Sequence, residues 1–465
     1  MITKLGEKFT DVFKKNMPDA FVFALILTLF TSVAAFFWVG AEPLKIISSW
    51  YEGFWMLLEF GMQMVLLVVT GYSIALSPLV EKGIDKLTLY IKTPRQVYYF
   101  VVLIGFLLSM ISWGWVIIAA VFARELALRI RGINYPYLIA CVYFSSIGWV
   151  TGLSSSIPLL LNTEKNYMIT GGILSDTIST SYTLGSLLNF GMIILFLVFG
   201  PVLMLLLEPK KSEGNQLTDF LALDMAPKPK SIPEEAASFK LPFKAPSDQL
   251  NNSVLLQYCI ALMGAVYIFY HFATKGPDLN LNIMIFTFVI VGLFLHKTPM
   301  RYGISMKRAS GNIADILFQY PFYAGIMGIM TFTGLGRELG QLIASVATAD
   351  TYPFFAYLLG GVVNFAIPSG GGEYAVIGPS VIEAVNNIGA GLSTEELTVM
   401  NARASMAIAY GEGLTNLLQP FFLLLLLPVM AKGIKIQARD IMGYLVIPFL
   451  LFFVLQITMV LWVPL

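Results

Sequence analysis

The segment from Asn364 to Pro379, NFAIPSGGGEYAVIGP, places helix-breaking residues and a carboxylate inside a long apolar stretch. Pro368 and the glycines at 370–372 interrupt a helix at this point. Within a lipid bilayer, irregular backbone is tolerated only where protein or a water-filled cavity covers it. We therefore expect this segment to form a re-entrant turn that lines the path of a solute.

A helix break in a membrane segment can bind an anion or a cation with backbone groups alone. A helix that begins at mid-membrane exposes backbone N–H groups and the positive end of its dipole, and both favour an anion such as a carboxylate. Unwound carbonyl groups near Gly152 and Gly413 would suit Na⁺. The alternative for the hydroxyl groups is that they bond their own or a neighbouring helix. The candidate substrate-binding residues are Ser112, Trp113, Gly114, Ser154, Ser155, Ser156, Asn364, Ser369, Gly370, Gly371, Gly372, Thr415 and Asn416.

Glu373 and Glu412 are the candidate proton or ion-coupling residues. A carboxyl group deep in a membrane costs a few kcal/mol and usually marks a pathway or a proton relay. Burial favours its neutral form, so a proton could enter together with an anionic substrate. The alternative is an acid at the water boundary or paired with Arg403.

The composition identifies a membrane protein. Hydrophobic residues make up 57% of the 465, charged residues 12%, and the mean hydropathy is +0.76, which excludes a water-soluble core. Two broken apolar stretches, 97–122 and 353–384, are interpreted as hairpins that enter and leave on one side. Nine full spans are predicted at 20–38, 54–76, 136–161, 187–207, 254–272, 281–295, 313–335, 402–430 and 441–463.

The positive charges orient these spans. With the N-terminus in the cytoplasm, most of the 29 Lys and Arg fall in cytoplasmic segments, as the positive-inside rule requires. The C-terminus is then outside, and Arg124 is expected to anchor the first hairpin at the cytoplasmic surface. Because the cations are spread along the chain and form no basic face, we expect no nucleic-acid partner. Five cations fall outside: Lys45, Lys165, Lys275, Arg337 and Arg403.

The order of parts predicts two inverted halves. An N-terminal half, 1–207, contains a cytoplasm-opening hairpin at about 97–123, and a C-terminal half, 254–465, contains an outside-opening hairpin at about 353–386. The polar segment 208–253 reads as a cytoplasmic linker. The expected fold is thus an all-α polytopic membrane protein with two inverted-topology repeats, whose site lies at the repeat interface.

Several motifs together resemble the bacterial short-chain fatty acid transporter family, related to the acetoacetate and butyrate uptake protein. They are NFAIPSGGGEYAVIGP, SWGWVIIAAVFAREL, LHKTPM, QYPFYAGI and MAIAYGEGLTNLLQP. The resemblance implies uptake of small monocarboxylates across the inner membrane, an ion-transporter-superfamily fold with paired re-entrant hairpins, and homodimers by analogy of fold. Departures from the family pattern at Glu373 and around Gly413 leave open another carboxylate.

Other functions stay open at this point. A passive anion channel would carry flux without accumulation, and a non-transporting receptor would bind without flux. An intramembrane hydrolase would use Ser369 as nucleophile, but His271 and His296 lie at predicted span ends, away from both hairpins. We expect no enzyme activity, resident metal or organic cofactor, only a coupling ion, H⁺ or Na⁺.

Overall fold

The structure, a computed structural model, describes residues 9, 11–12, 15–87, 90–111, 113–153, 155–164, 166–210, 212–222, 231–239, 241, 243, 245–276 and 281–465. Two candidate site residues, Ser112 and Ser154, lie outside this set, and of Trp113 only the backbone is described. The described residues form helices and turns and contain no β-strand. An all-α fold is therefore confirmed for this part of the chain.

Helices of the N-terminal half are numbered in chain order. A π-helical turn, Ala35–Val39, extends α1, and 3₁₀ turns at Trp113–Trp115 and Ser146–Thr151 follow α5 and α7. The bounds are α1 Ala20–Ala34, α2 Pro43–Phe54, α3 Leu58–Ala75, α4 Pro78–Leu87, α5 Pro94–Ile111, α6 Val116–Arg129, α7 Tyr135–Ser145, α8 Ser156–Leu161, α9 Tyr167–Thr170, α10 Leu187–Ile194 and α11 Gly200–Leu206.

The linker and the C-terminal half continue the numbering. Three short helices occupy the linker region, and a 3₁₀ turn, Asn416–Leu418, follows α22. The bounds are α12 Leu217–Ala222, α13 Ile232–Ser238, α14 Pro246–Asn251, α15 Val254–Lys275, α16 Leu281–His296, α17 Pro299–Ala309, α18 Ala314–Phe332, α19 Leu335–Val346, α20 Tyr352–Val363, α21 Gly370–Ile388, α22 Thr394–Thr415, α23 Leu423–Met430 and α24 Val446–Trp462.

Six stretches of the described chain are long and apolar enough to cross a membrane, or seven if a bent pair counts as one span. The bent pair, Thr394–Leu418 with Leu423–Met430, turns by 45° and corresponds to the predicted span 402–430. Five of the six overlap predicted spans, and the sixth is an arm of the first predicted hairpin; the total of nine spans stays a prediction. They are Ala20–Val39, Pro94–Ile111, Tyr135–Leu161, Leu187–Leu206, Pro246–Lys275 and Met442–Trp462.

The outer helices expose large apolar side chains. Phe30 on α1 is 71% exposed and Phe269 on α15 is 77% exposed. In water such a surface would be costly, whereas lipid tails match it. The fold is therefore that of a helical membrane protein.

Both predicted hairpins consist of two helices joined at a break. In the first, α5 and α6 pack against each other around the Trp113–Trp115 turn. Its tip touches the broken span, because Leu153 N–H donates to the Met110 carbonyl at 2.8 Å. In the second, α20 and α21 flank the irregular segment 364–369.

The second hairpin is held by a close crossing of α20 and α22. A methyl group built on Gly360 would lie 2.4 Å from the Ile408 carbonyl oxygen, and one built on Gly411 would lie 2.0 Å from the Tyr357 carbonyl oxygen. Only glycine permits the two backbones to approach this closely. The crossing fixes the break after α20 against the middle of α22.

Part of the linker is docked on the C-terminal half. Ile232 and Ala236 of α13 pack with Ile304 of α17 in a small apolar cluster. Glu235 and Arg308 form an ion pair between the same two helices. The linker region is therefore not simply a free tether.

A clamp of buried polar groups joins the two halves at α23. Arg124 of α6 donates to the carbonyl oxygens of Met430, at 2.6 Å, and Lys432, at 2.8 Å. Tyr135 donates to the same Met430 carbonyl at 2.6 Å. Arg124 is only 8% exposed and caps the C-terminal end of a helix, so it does not extend to the cytoplasmic surface as the sequence predicted.

Candidate functional site

The starts of two helices, one from each half, meet at Gly370. A methyl group built on Gly370 would lie 2.8 Å from Trp149 Cη2, 2.9 Å from Glu412 Oε2 and 3.0 Å from Ser156 Oγ. Ser156 is the first residue of α8 and Gly370 the first of α21. The side chains of three residues from the two halves therefore converge on the backbone of Gly370. We call this group the Gly370 junction; it consists of Trp149, Ser156, Gly370 and Glu412.

The sequence around Gly370 explains why a helix starts there. Pro368 cannot donate a hydrogen bond, and Ser369 has extended backbone, so its hydroxyl accepts from Gly372 N–H as a helix N-cap. The Ser369 hydroxyl is thus used within the turn. Gly371 also faces Ser156, but a methyl group on it would lie 3.8 Å from Ser156 Cβ, an ordinary contact.

Glu373 and Glu412 are both fully buried. None of their four carboxyl oxygens makes a hydrogen bond of normal geometry, although the Asn416 side chain lies beside Glu412. The two carboxyl groups are close enough to repel each other when both are charged. Arg403 donates instead to the Val460 carbonyl at 2.8 Å. Neither alternative for these acids, a position at the water boundary or a pair with Arg403, fits the structure.

A network of amide groups fills the break beside the junction. The Asn364 side-chain N–H₂ faces the Thr415 hydroxyl at 2.9 Å, the Asn416 side-chain oxygen at 2.8 Å and the Glu412 carbonyl at 3.0 Å. Gln419 donates to the Asn416 side chain at 2.8 Å. The side-chain oxygens of Asn364 and Gln419 are buried without a partner. Because such oxygens are costly when unsatisfied, they are available to a ligand or an ion.

Several predicted site residues lie elsewhere or in regular helix. Gly114 faces the side chains of Met284 and Leu67, not the Gly370 junction. Gly413 lies inside α22, which continues to Thr415, so the irregular backbone begins at Asn416. Gly152 has extended backbone, but its carbonyl accepts from Ser155 N–H at 3.1 Å. The suggested Na⁺ ligands at Gly152 and Gly413 therefore have little support from the backbone geometry.

Sequence reasoning missed other polar groups at the breaks. Tyr143 donates to the Asn416 carbonyl at 2.7 Å and to the Gln419 carbonyl at 3.0 Å. Asn189 donates to the Thr151 carbonyl at 3.0 Å and accepts from Tyr410 at 2.9 Å. Asn189 is the single polar residue of the apolar helix α10, and this is the signal that would have drawn attention to it. Tyr143 is one of three tyrosines in α7 and carries no such signal.

Two curated relatives align with nearly the whole chain. One, from Escherichia coli strain K12, is 36% identical over 445 residues, and the other, from Haemophilus influenzae, is 34% identical over 452 residues. Each alignment covers 96% of both proteins, and both relatives are provisionally named as short-chain fatty acid transporters. A solved structure of Neisseria gonorrhoeae MtrF, described as illuminating a class of antimetabolite efflux pumps, aligns with 98% of this chain and 97% of its own. Its 16% identity and TM-score of 0.37 are too low to indicate a shared fold or function.

The family comparison covers more of the chain than any single motif. Residues 1–463 match the model of the family described as short chain fatty acid transporter. The match confirms the resemblance that the PSGGG and AIAYGE motifs indicated. On this evidence and on the two relatives, the chain belongs to the short-chain fatty acid transporter family.

Proposed function

We propose that this protein takes up short-chain monocarboxylates, such as butyrate or acetoacetate, across the bacterial inner membrane as a proton symporter. The observation that carries the proposal is the Gly370 junction, where a helix start lies against a buried carboxyl group. The family membership and the names of the two relatives support the class of substrate.

The substrate anion would bind at the start of α21. The N–H groups of the first turn and the positive end of the helix dipole favour a carboxylate without a buried cation. Ser156 offers a hydroxyl from the other half, and the indole of Trp149 offers an apolar face for a short acyl chain. The size of that chain is then limited by the space beside Trp149.

The proton would be carried by Glu373 and Glu412. Buried carboxyl groups that lack hydrogen-bond donors are far more stable neutral than charged. One proton that enters with each carboxylate gives electroneutral transport. Na⁺ at the free oxygens of Asn364 and Gln419 is the competing coupling ion, and the same experiment distinguishes the two.

Alternating access would follow from the composition of the site. Because the junction takes Trp149 and Ser156 from one half and Gly370 and Glu412 from the other, movement between the halves would open and close it. We place the N-terminus in the cytoplasm and the C-terminus outside on the distribution of Lys and Arg, and we expect a homodimer.

The test is uptake by the purified protein in liposomes. Labelled butyrate and acetoacetate would be offered with an inward H⁺ gradient, an inward Na⁺ gradient or neither. We expect accumulation only with the H⁺ gradient, and we expect Glu373→Gln and Glu412→Gln each to abolish the response to that gradient. Glu338→Gln, which removes an exposed carboxyl group on α19, is the matched control and should transport normally.

Each other result has a distinct meaning. Accumulation with the Na⁺ gradient alone would show that the coupling ion is Na⁺ and not H⁺, and the proposed substrate class would stand. Unchanged H⁺ dependence in both Gln variants would exclude these two acids as proton carriers. Flux that never exceeds equilibrium would indicate a channel.

A further inference from the structure

A cavity away from the Gly370 junction lies on the side that the charge distribution assigns to the cytoplasm. It has a volume of about 400 Å³ and is formed by α4, the end of α16, the start of α17 and the start of α13. Its lining carries three cations, Lys82, Lys297 and Arg301, and no acidic residue among the described ones. Neither the mechanism above nor the family description assigns a role to it.

The helix geometry adds to this positive charge. Pro78 and Leu79 are the first residues of α4, and Arg301 lies in the first turn of α17, whose N-cap is Thr298. Two helices of 10 and 11 residues thus present their N-terminal ends to the cavity. Pro78 and Pro299 carry no N–H, and the N–H groups of Val80 and Arg301 donate to the hydroxyls of Ser77 and Thr298. The contribution of these helix starts is therefore the positive end of each dipole, which favours an anion.

A buried ring nitrogen points independently to a ligand. His296 lines the cavity and is 1% exposed. Its Nε2 lies 2.8 Å from the Ser73 carbonyl, which can only accept, so Nε2 carries the proton. Its Nδ1 is buried without a partner. This nitrogen has almost no accessible surface, so a protonated ligand oxygen would reach the acceptor at Nδ1 only after a small movement of the surrounding side chains.

Lys297 occupies a position where a lysine is costly. Its φ of 67° is the only positive value of a non-glycine residue in the described chain. It follows the last residue of α16, where glycine is the usual choice because it has no Cβ. A lysine at this strained position is explained if its positive charge binds a ligand in the cavity.

We propose that this cavity binds a phosphate group. Three cations and two helix starts suit a dianion with several oxygens better than a monocarboxylate, and a protonated phosphate oxygen matches the acceptor at His296 Nδ1. The LHKTPM motif at residues 295–300 then has a function of its own. The phosphate belongs either to a soluble ion or ester or to the headgroup of an anionic lipid.

Binding here would tie three parts of the chain together. α4 belongs to the N-terminal half, α16 and α17 to the C-terminal half, and α13 to the linker. Ile232 and Pro233 of α13 form one wall of the cavity. An occupied site therefore stabilises the docked linker, so that ligand binding should raise the thermal stability of the whole protein.

The test uses the purified full chain in a neutral detergent. Its melting temperature would be followed while inorganic phosphate is added, with potassium chloride at equal ionic strength as reference. Parallel samples in nanodiscs of phosphatidylcholine, with and without phosphatidylglycerol, test the lipid source. Arg301→Gln and Lys297→Gly each remove one cation from the cavity, and Gly suits the positive φ at 297. Lys307→Gln removes an exposed cation at the other end of α17.

We expect a saturable rise in melting temperature with phosphate, phosphatidylglycerol or both. Arg301→Gln and Lys297→Gly should weaken apparent binding by about tenfold, which is the effect of about 1.4 kcal/mol. Lys307→Gln should respond like the wild type. An equal effect of chloride, an equal response of all variants, or no response to phosphate and to phosphatidylglycerol would each overturn the proposal.

Discussion

Gly370 and Gly371 are neighbours in the chain but have different surroundings. A methyl group on Gly370 would come within 3.0 Å of three side chains, whereas one on Gly371 meets only Ser156, at 3.8 and 3.9 Å. Carbon atoms essentially never approach as closely as the first case requires, so side chains of the junction would have to move.

We expect Gly370→Ala to reduce uptake about tenfold or more, because it displaces Trp149, Ser156 or the carboxyl group of Glu412. Gly371→Ala should fold without a loss of melting temperature, because its methyl group would make only ordinary contacts. Liposome uptake and thermal unfolding, measured on both variants, check the pair. Equal uptake by Gly370→Ala and the wild type would show that transport does not require the close packing of Trp149, Ser156 and Glu412 around Gly370.

At the scale of single residues, the sequence indicated which residues could do chemistry, but it did not indicate which of them would contact one another. Glycines beside a proline in an apolar stretch indicate a break from composition alone, and an acid there indicates a function. That Ser156 and Glu412 meet at Gly370 depends on packing between segments more than 200 residues apart, which no local pattern records. Trp149 was missed for the same reason.

Among the helices, the crossing of α20 and α22 determines where the second break lies. Backbone atoms, not flexible side chains, surround Gly411: a methyl group would meet the Tyr357 carbonyl oxygen at 2.0 Å and Gly361 N at 3.1 Å. Backbone cannot rotate away, so the helices would have to separate. The break at Asn364 and the Thr415 hydroxyl would then lose their alignment.

Gly411→Ala should destabilise the protein by about 1–3 kcal/mol, as overpacking of a core usually does. Gly303→Ala provides a control of opposite sign, because Gly303 lies inside α17 with open space around it. Alanine favours a helix over glycine by about 0.5–1 kcal/mol, so this variant should gain stability. Melting temperatures in one detergent decide between these outcomes; a neutral Gly411→Ala would show that the crossing tolerates separation.

Helix ends were harder to predict than helix existence. Hydropathy together with glycine and proline positions predicted breaks within 97–122 and 353–384. The break after Gly413, however, begins only at Asn416, because α22 keeps its hydrogen bonds to Thr415. The predicted span 54–76 likewise begins at Leu58, after α2 has ended at Phe54. Local hydropathy does not distinguish a continuous helix from two that meet at an angle.

Over the whole molecule, cations gather where the halves meet. Lys432 donates to the Arg308 carbonyl and lies 4.8 Å from the centre of the Tyr72 ring, with Arg124 nearby. Burial, and then the charges of Arg124 and Arg308, lower the pKa of Lys432 to about 8. The unfolded chain, in which this pKa is near 10.5, holds its proton at higher pH than the folded chain does.

Because the unfolded state binds more protons between about pH 8 and pH 10.5, Lys432 makes the folded state relatively more stable as the pH rises through that window. We expect the difference in melting temperature between the wild type and Lys432→Gln to shift in favour of the wild type from pH 7.5 to pH 9.5. A constant difference across that range would mean that Lys432 keeps its charge throughout.

The clamp at Met430 also constrains how the protein is made. Arg124 is synthesised 306 residues before its partner Met430. At a translation rate of about 5 to 20 residues per second, this separation corresponds to roughly 15 to 60 s. During this interval the two carbonyl groups that bind the guanidinium group in the folded protein have not been made, and hydrocarbon would be a poor place for it. The α5–α6 hairpin must therefore wait near the lipid headgroups or under the cover of the insertion machinery. Final assembly of the N-terminal half is thus completed only when the last helices of the chain have been translated.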